Sequence, residues 1–321
     1  MTLGKEKRRK TASSAEHLPP AASDTAEKIV TLLLFSVLLS TVFLSEEIAD
    51  AVRLGLTLCA RSVIPAVFPF MILSGMVTAY ASFESLSWIA RPFERIFRIH
   101  RCGVGAFLSG IFCGFPLGVK CTVDLYRAGR LEKEEAERLI GFSNNTGPAF
   151  LVGAVGIGMR ESPRDGVLLY VVMILSAVAV GVLFGIGHRP GNGQGTRRKE
   201  DFDLVLCIRD AGMNTLAVAS FLTFFSVIGG VCAHFLTNRV ILSLLFPFLE
   251  VGNASHFLAF LSPLPKRVTL ALTAFATSFS GLSVHLQAKH FLIGSGLSMR
   301  RYYPMKLLQG LLAAGMAFLF C

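Results

Sequence analysis

Between Gly166 and Gly187 the chain reads GVLLYVVMILSAVAVGVLFGIG, 22 residues without a charged side chain. A helix that crosses a bilayer needs ~20 mostly apolar residues, because in hydrocarbon every backbone N–H and C=O must be satisfied within the segment. Working outward, similar blocks run from Ile29 to Ser45, Val63 to Tyr80, Leu216 to Phe235 and Val268 to Ser280. Only 16% of the 321 residues are charged, against ~25% in a soluble domain, and the mean hydropathy is +0.60. These features predict an all-α polytopic membrane protein and exclude a soluble enzyme with one apolar helix.

Ahead of the first block lies a polar leader, residues 1–28, basic at Lys5, Lys7, Arg8, Arg9 and Lys10. No small-residue cleavage pattern closes the block, so it is read as a retained first helix with a cytoplasmic N-terminus. The leader is rich in Ser, Ala, Pro and charge and is expected to be disordered. A second polar stretch, residues 188–203, contains Gly191, Gly193 and Gly195 with Arg197, Arg198 and Lys199. It reads as a cytoplasmic linker between a first membrane half, 29–187, and a second, 204–321.

The net charge of +10 gathers at predicted helix ends, where it meets anionic headgroups of the bilayer. Nucleic-acid binding is not expected, since no soluble basic domain is long enough for it. The seven cysteines form no CxxC pair, and they are read as small buried hydrophobes without disulfide or metal.

Two apolar segments are interrupted by Gly or Pro. One is broken at Gly114, Pro116 and Gly118; the other at Ser280, Gly281 and Ser283. Gly114 precedes Gly129, and Gly281 precedes Gly296, with a constant offset of 167 residues between the two pairs. Matched breaks in a weak internal repeat point to a transporter with re-entrant hairpins and two related, inverted halves. At that offset Asn144 falls on Leu311, so the repeat is incomplete or the site asymmetric.

The breaks and their neighbours supply the candidate site residues. Helix N-termini exposed at the first break would attract an anion, and Lys120 would add a positive charge; alternatively Lys120 extends to the headgroups. Asn144, Asn145, Thr146 and Gly147 interrupt an apolar context just before Pro148, a pattern tolerated at membrane depth where it lines a cavity. Glu250 and Asn253 lie in an otherwise apolar run and suggest a coupling site or a loop. Ser283, His285 and Gln287 make the second break polar. No HExxH, GxSxG or Walker A pattern is present, and no catalytic residue, metal or cofactor is expected.

These segments resemble the YlbJ-type sporulation integral membrane proteins with a nucleoside-recognition Gate domain. The resemblance rests on GFPLGVK at Gly114–Lys120, Leu125 and Tyr126 with Gly129, and EEAERL at Glu134–Leu139. It continues through SNNTGP at Ser143–Pro148 with Phe150 and Gly153, Leu249 with Glu250, and SFSGLSVHLQ at Ser278–Gln287. The resemblance covers roughly residues 50–321 and implies a relative of concentrative nucleoside transporters, with paired hairpins around a midplane site. It further implies a carrier of dipicolinic acid toward the forespore, across the outer forespore membrane. A small organic anion is therefore the expected partner besides lipid. A non-transporting scaffold of a sporulation membrane complex, a nucleoside-type carrier and a membrane enzyme acting on lipid-linked substrates are the rival readings, and self-association is left open.

Overall fold

The computed structural model describes residues 42–80, 87–191 and 203–320, with Lys28, Thr31, Leu32 and Phe35 besides. The polar leader, most of the first apolar block and most of the linker at 188–203 lie outside the described residues.

The described residues are helical, with no strand among them. Helix α1 (Ser45–Leu58) runs through a π turn at Cys59–Val63 into α2 (Ile64–Tyr80). Then come α3 (Ser87–Phe97), α4 (Val104–Phe112), α5 (Leu117–Arg127) and α6 (Lys133–Ser143). A π-helix (Ala149–Met159) leads to α7 (Pro163–Leu183), which is followed by α8 (Leu204–Phe235), α9 (Arg239–Leu249) and α10 (Val251–Phe260). The chain closes with α11 (Lys266–Phe279), α12 (Gly281–Leu292) and α13 (Tyr302–Phe320).

Among the described residues, α7, α8, the α11–α12 run and α13 are each long and apolar enough to cross a membrane. Their outer faces are greasy: Val167, Val171 and Leu175 on α7, Leu216 and Phe224 on α8, and Leu307 and Leu311 on α13 are all exposed. Water would penalise such continuous apolar faces, and lipid does not. The protein is an all-α polytopic integral membrane protein.

Local chemistry sets where the helices start. Ser162 Oγ accepts from Asp165 N–H with Pro163 at the first helical position of α7. Asp203 receives Val205 and Leu206 N–H at the head of α8, and Asn238 receives Val240 and Ile241 N–H at the head of α9. Glu132 and Glu135 form a reciprocal capping box on α6.

The helix order contains one pattern twice: a hairpin of two helices, a broken helix, then an unbroken span. First come α4–α5, α6 with the π-helix, and α7; later α9–α10, α11–α12, and α13. The packing obeys the same exchange. Helix α5 meets α12 as α10 meets the π-helix, and α6 meets α13 as α11 meets α7. The two halves therefore interlock. This order corrects the register expected from glycine spacing. Gly114 corresponds to Glu250 and Asn144 to Ser280, each pair 136 residues apart, so the apparent 167-residue offset joined a hairpin tip to a broken helix. In the corrected register the Asn144–Pro148 break does have a counterpart, at Ser280–Gly281.

Candidate functional site

Four interruptions converge: the hairpin tip at Gly114–Pro116, the break at Asn144–Pro148, the tip at Glu250 and the break at Ser280–Gly281. Gly114 has a φ of +85°, and a Cβ there would sit 2.7 Å from Gly147 N. Only glycine allows both that conformation and that approach. Thr146 Oγ1 donates to Thr277 O at 2.6 Å, tying the first broken helix to the second. Gly281 (φ +61°) would place a Cβ 3.1 Å from Leu249 O, at the second hairpin tip. Ser280 precedes it with a φ of +80°, a left-handed conformation that strains a residue with a side chain.

On one side of the Asn144–Pro148 break lies a cavity of about 50 Å³. Gly114, Phe115, Thr146, Gly147, Glu250 and Gly252 contribute to its wall. Its size suits a few waters. Glu250 caps α10, its two carboxylate oxygens accepting from Gly252 N–H at 2.8 Å and Asn253 N–H at 2.6 Å. No cation pairs with Glu250 among the described residues. Asn253 Nδ2 donates to Ser226 Oγ on α8 at 2.9 Å.

On the other side is a buried polar network that joins the expected Asn144, Asn145 and His285 to Tyr302, Lys306 and Gln309, which sequence reasoning missed. Lys306 on α13 is wholly buried. Its Nζ donates to Asn144 O at 2.7 Å and to Gln309 Oε1 at 2.8 Å. Gln309 Nε2 donates in turn to Asn145 Oδ1 at 2.8 Å, and Asn145 Nδ2 to Phe142 O at 2.7 Å. Asn144 Nδ2 donates to the Tyr302 hydroxyl at 2.7 Å, which lies 3.2 Å from His285 Nδ1. Among the described residues no carboxylate pairs with Lys306. Tyr302, Lys306 and Gln309 follow an i, i+4, i+7 spacing, one face of α13. A Lys and a Gln inside an apolar span was the available signal.

The Tyr302 oxygen accepts from Asn144 Nδ2 and shares a hydrogen bond with His285 Nδ1 whose direction follows the imidazole tautomer. His285 Nε2 is buried without a partner, as are Asn144 Oδ1, Ser278 Oγ and Gln287 Oε1. Buried polar groups are normally satisfied, so these four atoms, near the two helix breaks, have room for hydrogen bonds to water or to a ligand.

The remaining candidates fall elsewhere. Lys120 ion-pairs with Asp124 on its own helix at 2.9 Å. Gly118, like Gly110, faces the main-chain oxygen of Ser143 and permits close packing of α5 and α4 on α6. Pro116 stands at the head of α5. Ser283 Oγ accepts from Gln287 Nε2 at 3.2 Å within α12.

The chain is similar to the sporulation integral membrane protein YlbJ of Bacillus subtilis (strain 168). The two are 27% identical over 338 aligned positions, which cover 89% of this chain and 82% of that protein. No protein-family model matches the chain, and no solved structure matches it.

Proposed function

We propose that this YlbJ-type integral membrane protein is a carrier for a small organic anion, and that in endospore formation the anion is dipicolinic acid. The observation that carries the reading is the buried Lys306–Asn144–Tyr302–His285 network. It combines a buried lysine that no carboxylate pairs with among the described residues with an unpartnered ring nitrogen on His285. A carboxylate can accept from the lysine, and from His285 where that nitrogen carries hydrogen. Relationship to concentrative nucleoside transporters, a place in the outer forespore membrane and a cytoplasmic N-terminus belong to the same reading.

The cavity of about 50 Å³ beside Glu250 is too small for an aromatic dicarboxylate, so binding requires the hairpin tips to part. Glu250 would repel the substrate's charge in that corner. It is the candidate for coupling, while Lys306 and His285 receive the anion. Lys306 thereby takes the role that the sequence suggests for Lys120.

The test is uptake of labelled dipicolinate, with a nucleoside as comparison, into vesicles holding the purified chain. Saturable dipicolinate uptake, lost in Lys306→Met and largely kept in Lys120→Ala, is expected. Nucleoside uptake in its place would assign a nucleoside-type carrier. Absence of both, from protein shown to be folded and inserted, would favour the scaffold.

A further inference from the structure

Away from the helix breaks, the C-terminal ends of α3 and α7 enclose a second cavity of about 500 Å³. Its polar lining is Arg95, Arg98, His188 and Arg189; its apolar lining includes Ile96, Val182 and Ile186. From these we propose a binding site for the phosphate-bearing headgroup of an anionic phospholipid, with the lipid's acyl chains running back along the exposed apolar face of α7 from Val182.

The cavity is built into the fold rather than left between mobile side chains. A Cβ on Gly185 would come within 2.8 Å of Phe97 O, so the last turn of α7 rests directly on the end of α3. Beneath them lies Arg138 of α6, buried at 2% exposure. Its guanidinium donates to Phe97 O at 3.2 Å, Arg98 O at 2.7 Å and Phe184 O at 3.5 Å. One cation thus caps the carbonyl ends of both helices and fixes their separation.

The charge above that floor is not balanced. Arg95, Arg98 and Arg189 are exposed and have no ion-pair partner among the described residues. The neighbouring acids are engaged elsewhere or make no such pair. Glu134 accepts from Arg301 at 2.7 Å and lies 3.2 Å from His188. Glu135 receives the N–H groups of His100 and Gly191. Glu94, one turn before Arg98, forms no ion pair with it. Three unpaired guanidiniums around one concavity suit a phosphate, which guanidinium binds with two parallel hydrogen bonds.

The apolar half of the lining selects a lipid over a soluble phosphate. Val182, at the end of a helix apolar enough to cross the membrane, is 38% exposed; Ile186, in the turn just beyond it, is 70% exposed, and Ile96 48%. Trp88, 73% exposed on α3, is the kind of side chain that anchors a helix at headgroup level. Basic pockets between membrane helices recognise anionic headgroups in this way.

The full chain is purified in detergent, and retained lipid is measured by native mass spectrometry after exposure to phosphatidylglycerol or phosphatidylcholine. The wild type should retain phosphatidylglycerol preferentially. The triple variant Arg95→Gln, Arg98→Gln, Arg189→Gln should retain at least ~10-fold less, with an unchanged melting temperature in phosphatidylcholine. Arg239→Gln, a surface charge on α9, should behave as wild type. Equal retention by the triple variant, or an equal loss in Arg239→Gln, overturns the site. Displacement of the lipid by glycerol 3-phosphate at comparable concentration overturns the lipid as its source and assigns a soluble phosphate.

Discussion

The Nζ of Lys306 donates to the main-chain oxygen of Asn144 at 2.7 Å, across 162 positions of sequence. This bond attaches the last spanning helix to the break in α6. It also brings an amine into a region that otherwise holds amides, hydroxyls and an imidazole. Replacing Lys306 with Met keeps the apolar stem and removes the amine. Anion uptake should fall at least ~10-fold, the effect of losing one charge-assisted contact. Lys120→Ala should keep most of the activity, because Lys120 answers to Asp124 on its own helix. Uptake in vesicles at matched protein density measures the contrast.

Tyr302→Phe removes one oxygen that holds both Asn144 Nδ2 and His285 Nδ1. Two buried groups then lose their partner, at a cost of roughly 1–3 kcal/mol each. The melting temperature in detergent should drop by several degrees. A melting curve matching wild type would show that Tyr302 does not bear on the network.

Glycine substitutions should separate packing from helix propensity. A Cβ on Gly110 would run into the main-chain oxygen of Ser143, whereas one on Gly212 meets nothing within 4 Å. Gly110→Ala should abolish recovery of monodisperse protein. Gly212→Ala, within α8, should raise stability by up to ~1 kcal/mol through helix propensity. Size-exclusion profiles and melting temperatures of the two variants provide the comparison.

Ser280 carries its side chain at a φ of +80°. Ser280→Gly removes that strain and should leave the melting temperature level or higher, while Ser280→Val should lower it, since a β-branched residue resists this conformation. Equal behaviour of the two variants in thermal unfolding would argue against a strained break.

At the polar outer end of α6, the Arg301 hydrogen bond holds the Glu134 carboxyl below its ordinary range, with His188 adding a smaller pull. A lowered carboxyl pKa contributes stability that is present above the ordinary value near 4.5 and is lost as pH falls through the lowered one. Glu134 is exposed, so the contribution is small and salt screens it. Glu134→Gln should therefore lower stability slightly near neutral pH at low salt, leave it unchanged below the lowered pKa, and so flatten the acid limb of the stability profile. Thermal unfolding as a function of pH at two salt concentrations checks this.

Much of the fold was legible in the sequence, and for local reasons. A charge-free run such as Gly166–Gly187 has few alternatives to a spanning helix. Gly114, Pro116 and Ser280–Gly281 advertise broken backbone by residue type alone. The Asn144–Gly147 stretch likewise stood out against its apolar surroundings. The i, i+4 spacing of Lys120 and Asp124 also lies in the sequence as a signal for a pair on one helix face.

What the sequence by itself determined is the membrane class, the helical segments and the positions of their breaks, because hydropathy and backbone preference act over a few residues. Tertiary structure alone decided which breaks correspond, at 136 rather than 167 residues, and which lysine enters the polar core. Both depend on how helices far apart in sequence pack. A lysine in an apolar helix reads the same whether it faces an aspartate one turn away or the amide of a helix break 162 residues earlier.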